Sequence, residues 1–248
     1  MKKILFLAIF SIISGLASAS TEPESVLKTN NPRKPKARPS LPGNIVLDYG
    51  SNLLINSPDN FNTEWFGSRN FNFIYQREKR IGESKFAFAP GIGLTMQRYK
   101  FSSSSTLGFS INAAGERIVE VQPVGPEIGA VKKSMVITNY VDLPLEIRFY
   151  TNPNDVYRSF HVTLGAYVGV LFDSGTKIKH AQSGENKILK DKQSFDLNPL
   201  RYGAGIRIGV GGFNIYGRYN LSPLFRPGFG PGGEDFNALT LGFSVIGF

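Results

Sequence analysis

Cysteine is absent from the 248 residues, which excludes disulfide staples and thiolate metal sites. The two histidines, His161 and His180, stand too far apart in the chain for a local zinc motif. No metal or cofactor site is expected from the residues. Long apolar runs are also missing after the first twenty positions, where every apolar stretch is broken by glycine or a charge. A spanning helix needs about 20 apolar residues in a row, so none is expected there. Acidic residues number 19 against 28 basic ones, a net charge of +9, or +7 once Lys2 and Lys3 are set aside. Such a balance could mark a nucleic-acid binder, but the lysines and arginines are scattered and the chain opens like an exported protein. Anionic lipid or an acidic partner fits the charge better than nucleic acid.

The opening residues MKKILFLAIFSIISGLASAS read as an export signal over residues 1–19. Lys2 and Lys3 form the positive start, Ile4 to Ile13 the apolar segment, and Ala17-Ser18-Ala19 the small-x-small cleavage pattern. Residues 20–43 are polar and Pro-rich, with Arg33, Lys34, Lys36 and Arg38 clustered. They hold too little apolar surface to fold alone. This segment is expected to be either a plain linker or a basic periplasmic arm that docks on a partner. Residues 44–248 are expected to form one β domain.

Within that domain the stretch VDLPLEIRFY, residues 141–150, sets Val141, Leu143, Leu145, Ile147 and Phe149 against Asp142, Pro144, Glu146, Arg148 and Tyr150. Period two means a strand with one apolar and one polar face. In a soluble sandwich the apolar face would look inward; in a membrane barrel it would meet lipid. Eight such segments occur, near 44–55, 66–77, 84–99, 135–149, 158–172, 199–210, 212–222 and 237–248. Each is close to or above the about 9–11 residues that a tilted strand needs to cross a bilayer. The connections alternate: short at REKRIGES, YTNPNDVY and Gly211-Gly212, and long elsewhere, including a Ser-rich loop at 101–134 and a Lys-rich one at 174–195. Short periplasmic turns and long extracellular loops are the pattern of an outer-membrane barrel.

The expected architecture is therefore all-β: an eight-stranded antiparallel transmembrane β-barrel in the outer membrane, with the arm in the periplasm. Its outer face should contact outer-membrane lipid and lipopolysaccharide. The polar face then points into the lumen, and a carboxylate–guanidinium network is expected among Asp142, Glu146, Arg148, Arg201, Arg207 and Arg218, since buried charges must be paired. Asp48, Asn52, Gln76 and Gln97 are further inward candidates. Eight strands leave room for side chains and no pore, and lumen glycines should make space for Tyr140, Tyr167 and Tyr216. Trp65, Phe66, Tyr75, Tyr150 and Tyr157 are expected at the membrane interfaces. Pro90 and Pro144 fall inside expected strands and point to an edge or a bulge, and Phe248 falls off the parity of the last strand.

Three stretches carry a family likeness: DLPLEIRFYTNP at 142–153, SFHVTLGAYVGVLFDSGTKIKH at 159–180 and LNPLRYGAGIRIGVGGFNIYGRYNLSPLF at 197–225. Here the chain resembles the PorT-like outer-membrane β-barrel proteins of Bacteroidota. The resemblance covers most of the chain after about Gly43 and is weakest over 101–134. It implies an integral outer-membrane protein and, by analogy with founding members, a non-enzymatic accessory of type nine secretion or surface assembly that meets secretion-machinery proteins. Two alternatives stand beside it. One is a free-standing structural or adhesive barrel whose 101–134 loop binds something outside. The other is a lipid-modifying barrel enzyme, because Ser159-Phe160-His161-Val162-Thr163 resembles the closely spaced histidine and hydroxyl of lipid A deacylases. Against it, His161 should lie near the inner leaflet, and no positioned carboxylate accompanies the pair. A soluble eight-stranded ligand binder is the remaining reading. Gly91-Ile92-Gly93 and Gly203-Ala204-Gly205 run along strands and open no helix, so a phosphate loop fails on context. Lys177, Lys179, Lys187, Lys190 and Lys192 belong to a solvated loop or contact lipopolysaccharide phosphates.

Overall fold

The computed structural model describes residues 43–111, 115–156, 158–182 and 184–247. The signal segment, the arm residues Arg33, Lys34, Lys36 and Arg38, Tyr157 and Phe248 lie outside the described residues. Twelve strands follow in order: β1 (Asn44–Ile55), β2 (Arg69–Gln76), β3 (Lys79–Arg80), β4 (Phe86–Lys100), β5 (Ser105–Ile111), β6 (Arg117–Pro123), β7 (Ala130–Tyr150), β8 (Phe160–Gln182), β9 (Glu185–Asp191), β10 (Leu200–Val210), β11 (Phe213–Asn220) and β12 (Asn237–Ile246). Ten of them make one sheet, in which β3 and β9 are side additions; the other eight close into a barrel. Every barrel neighbour is antiparallel, and closure comes from β1 on β12, running from Val46↔Ile246 to Ile55↔Asn237.

The alternation in sequence explains the two faces. Along β7 the odd residues Leu143, Leu145 and Ile147 are exposed while Asp142, Glu146 and Arg148 are buried. On β8, Phe160, Leu164, Val168 and Phe172 are exposed while His161, Thr163 and Tyr167 are buried. An outside rich in aliphatic and aromatic side chains around a polar inside is the pattern of a barrel solvated by lipid. Closure leaves no unpaired strand edge in that band, as a lipid environment requires. Glycine on the inner face makes room for tyrosine. A Cβ at Gly203 would lie 2.4 Å from the Tyr167 hydroxyl, and one at Gly50 would lie 2.7 Å from that of Tyr216.

Three expectations need correction. The prolines mark neither an edge nor a register shift. Pro144 pairs opposite Tyr167 in a continuous ladder. Pro90 pairs opposite Leu145 where the β4–β7 pairing lapses over Gly91 and Ile92 and resumes in the same register at Gly93↔Asp142. The register shifts lie elsewhere on the β7–β8 pair, between Val131 and Lys133 and between Asn139 and Tyr140, the second leaving Phe172 as the extra residue of β8. Tyr150 is not an interfacial anchor, since it is buried and its hydroxyl donates to Glu78 at 2.8 Å. It follows the lumen parity of Arg148, and parity outweighs position near a strand end. The segments at 101–134 and 174–195 are not plain loops. The first folds as the β5–β6 hairpin and the start of β7; the second continues β8 and turns back as β9. The extended β8 with β9 and the start of β7 carry the barrel sheet beyond the apolar band, while β5 and β6 pair as a separate two-stranded sheet. Trp65 and Phe66 are exposed in the β1–β2 connection, with ring centroids 5.0 Å apart.

Candidate functional site

The inner face gathers charge from β1, β7, β10 and β11 and from the connection after β2. Arg207 on β10 donates to both Asp48 oxygens, at 2.5 and 2.9 Å, to Glu146 at 3.1 Å and to the Ser244 hydroxyl at 2.7 Å. Asp48 also accepts from the Asn72 amide at 2.8 Å. Arg148 bonds Glu146 at 3.1 Å, Glu78 at 2.7 Å and the Gln76 amide oxygen. A second cluster lies nearer the outer end. There Asp142 accepts from Arg201 at 2.6 Å, Arg218 at 3.0 Å and the Thr95 hydroxyl at 2.6 Å, while Arg201 also reaches Gln97 at 2.6 Å.

Tyrosines complete the packing of the cations. The Arg218 guanidinium sits 3.8 Å from the Tyr167 ring centre, and Arg201 sits 4.1 Å from that of Tyr140. Such contacts gain strength where water is excluded. The four arginines face Asp48, Glu78, Asp142 and Glu146, so the charges balance. A cavity among Glu146, Tyr167, Arg207 and Arg218 holds about 20 Å³, room for about one water.

All six charged residues singled out from the sequence face the lumen, but they divide into two clusters. Asp142, Arg201 and Arg218 form one; Glu146, Arg148 and Arg207 form the other. Asp48 proves to be a full member, bridged to Arg207, and Glu78 enters from the β2–β3 turn. Asp48 was legible from its strand parity. Glu78 was not, because turn residues carry no parity.

The two ends of the lumen differ. At the periplasmic end a cavity of about 350 Å³ opens among Glu78, Arg148, Tyr150 and His161. His161 is buried there, its ring 5.4 Å from that of Tyr150. At the outer end the connections fold inward as an apolar cap. Phe61, Phe101, Phe225 and Phe236 meet with ring centroids 5.1–5.8 Å apart, joined by Tyr99, Leu197 and Leu224. Phe195 enters the cap from the β9–β10 connection, stacked on Phe109 at 5.5 Å. Sequence reasoning missed this cap. Its signal was an isolated Phe or Leu in each long connection, at 61, 101, 195, 197, 224, 225 and 236.

Among the described residues no group of three or more His, Asp or Glu is placed to hold a metal ion. No helix among them is long and apolar enough to cross a membrane, which says nothing of a strand-built barrel.

Against known proteins, no curated sequence matches the chain. Among solved structures it is similar to Ail, the attachment invasion locus protein of Yersinia pestis, at 16% identity with a TM-score of 0.32, covering 82% of this chain and 97% of that one. Ail in complex with the heparin analogue sucrose octasulfate gives 15% identity and a TM-score of 0.31, over 83% and 99%. A Rhodopseudomonas blastica porin mutant gives 8% and 0.18, over 82% and 99%. At such scores these likenesses carry no argument about function. The family model of the outer membrane protein beta-barrel domain matches residues 43–226, well over half of the chain. The closed eight-stranded barrel with its apolar exterior and that match lead to one conclusion: this chain belongs to the outer-membrane β-barrel domain family and resides in the outer membrane.

Proposed function

We propose that this barrel is a non-enzymatic accessory of protein secretion, of the type nine kind, or of surface assembly, acting through its two ends and not through its lumen. The observation that carries the reading is the filled interior: ion pairs occupy the lumen and the apolar cap covers its outer mouth. A barrel sealed in this way offers partners its surfaces: the built-up β5–β6 and β7–β9 structure outside and, in the periplasm, the basic arm with Arg33, Lys34, Lys36 and Arg38. The specific secretion role rests on the likeness of residues 142–153, 159–180 and 197–225 to PorT-like proteins. The non-enzymatic reading is supported by His161, which sits at the periplasmic end, remote from outer-leaflet lipid A.

The test is deletion of the gene, followed by quantification of surface-attached and released proteins. Exported cargo should build up in the periplasm while the outer membrane stays intact. Unchanged secretion would overturn the accessory role and turn attention to adhesion by the outer β-structure. Deletion of residues 20–43 alone should reproduce the defect if the arm docks the partner.

A further inference from the structure

The height at which charge replaces apolar residues on the outside of the barrel is not uniform around its girth. Along β7 the lipid-side residues run Phe149, Ile147, Leu145, Leu143 and Val141, and the same parity continues through Asn139, Ile137 and Met135 to Lys133. On β4, paired through Leu94↔Val141 and Lys100↔Met135, the series runs Leu94, Met96, Arg98 and Lys100. On β2 it runs Phe73, Phe71 and then Arg69. Beyond the extra residue Phe172, the parity of β8 flips, and Lys177 and Lys179 now stand opposite Met135 and Lys133. On β9, Lys190 stands opposite Lys177.

Five adjacent strands thus place Arg69, Lys100, Lys133, Lys177, Lys179 and Lys190 on the lipid side, in a patch directly above the apolar band. Neighbouring strands lie about 4.8 Å apart, so Lys100 and Lys177 flank Met135 at roughly 10 Å from one another. Thr176, Ile178 and Leu189 point the other way and line a cavity against the β5–β6 hairpin, which fixes the outward direction of the lysines. Lys187, of the opposite parity to Lys190, is not part of the patch.

The local charge is only partly answered. Glu64 pairs with Lys100, and Asp173 accepts from the Asn139 amide beside Arg98. Lys133, Lys177, Lys179 and Lys190 have no ion pair among the described residues. A cleft of about 220 Å³ opens beside the patch, lined by Arg98, Ser174, Lys190 and Lys192, with Asp173 and Asp191 on its walls. On the opposite side of the barrel the strands end lower, with Leu200 level with Val170 and with Tyr202, Tyr219 and Leu221 also outward. The exposed cation beyond them, Arg226, is answered by Asp196 at 3.8 Å.

We propose that this one-sided patch is a seat for the phosphate groups of an outer-leaflet lipid headgroup of the lipid A type. Its height matches that partner, because the cations begin where the apolar strand residues end and headgroup phosphates lie at that boundary. Ammonium–phosphate hydrogen bonds are of the charge-assisted class, and the apolar residues below supply the wall for acyl chains. The inference goes beyond the proposed accessory role and does not depend on it.

The test uses the whole chain reconstituted in phosphatidylcholine vesicles doped with bisphosphorylated lipid A or with its dephosphorylated form. Lipid retained on the extracted protein is counted by native mass spectrometry. Lys133→Gln, Lys177→Gln, Lys179→Gln and Lys190→Gln combined should reduce retention of the bisphosphorylated lipid at least about tenfold. A control that removes the same charge elsewhere, Arg77→Gln, Lys79→Gln, Lys85→Gln and Lys187→Gln, should retain it like the wild type, and the dephosphorylated lipid should not be enriched. Each protein is first shown to be folded by its heat-dependent gel mobility. Equal retention by the patch variant and the wild type overturns the proposal, as does an equal loss in the control. Binding of soluble polyphosphate through the same lysines, without lipid A enrichment, also overturns it and assigns the surface to a soluble polyanion.

Discussion

Between the lumen, where Arg207 joins Asp48 to Glu146, and the outer mouth, where Phe61 meets the rings of Phe101, Phe225 and Phe236, the chemistry of burial inverts. A soluble protein keeps its apolar groups inside and its charges outside. Here the lipid-spanning part does the reverse, and the ordinary order returns only above the membrane, where water surrounds the connections. The difference teaches that each region is stabilised against its own solvent. In the lumen stability comes from completing hydrogen bonds and charge pairs; in the cap it comes from removing rings from water and packing them edge to face.

The comparison can be broken first in the lumen. Arg207→Met leaves Asp48 and Glu146 buried without their shared cation, and should cost about 3–5 kcal/mol of folding stability. Urea titration of the barrel refolded in detergent checks this. The contrast sharpens if Arg207→Met is combined with Asp48→Leu and Glu146→Gln. Removing the cluster together should recover most of the loss, since replacing whole buried ion clusters by apolar groups is often close to neutral.

The cap should answer differently. Phe61→Ala should cost toward the lower end of about 3–5 kcal/mol, because the three surrounding rings can partly close in. The loss should appear as faster proteolysis of the outer connections while the heat-dependent gel mobility of the barrel is unchanged. On the lipid face, Leu145→Arg near the middle of the band should cost about 2–4 kcal/mol in vesicles. The smallest effect belongs to Lys187→Gln, expected within about 0.5 kcal/mol of the wild type in the same titration.

These regions were unequally legible in the sequence. The eight strands and their inward residues could be read because lipid on one side and a charged lumen on the other enforce period two with hardly an exception, as at Val141 to Tyr150. Asp48 was placed inward by the same rule, though its bond to Arg207 joins positions far apart in the chain. The cap was hidden because Phe61, Phe195 and Phe236 sit in irregular connections, where no period announces a buried ring. The extension of β8 reads as a loop because Phe172 shifts its parity and because Lys177 and Lys179 take the place of apolar residues on its outward face. Tyr150 shows the remaining gap: an aromatic at a strand end fits an interfacial anchor by position, and only parity reveals that it points inward to Glu78.

The β1–β12 seam has its own consequence for how the molecule is made. Every other barrel contact joins strands that follow one another in the chain, but Val46↔Ile246 and its neighbours unite the first strand with the last. Loop closure across such a separation is entropically slow. A chain emerging from its N-terminal side therefore carries β1 with an open edge until β12 arrives, and an open edge is a template for pairing with another chain. In the finished barrel the last strand to appear is the one that removes both edges together, so assembly of the whole wall waits on its final ten residues.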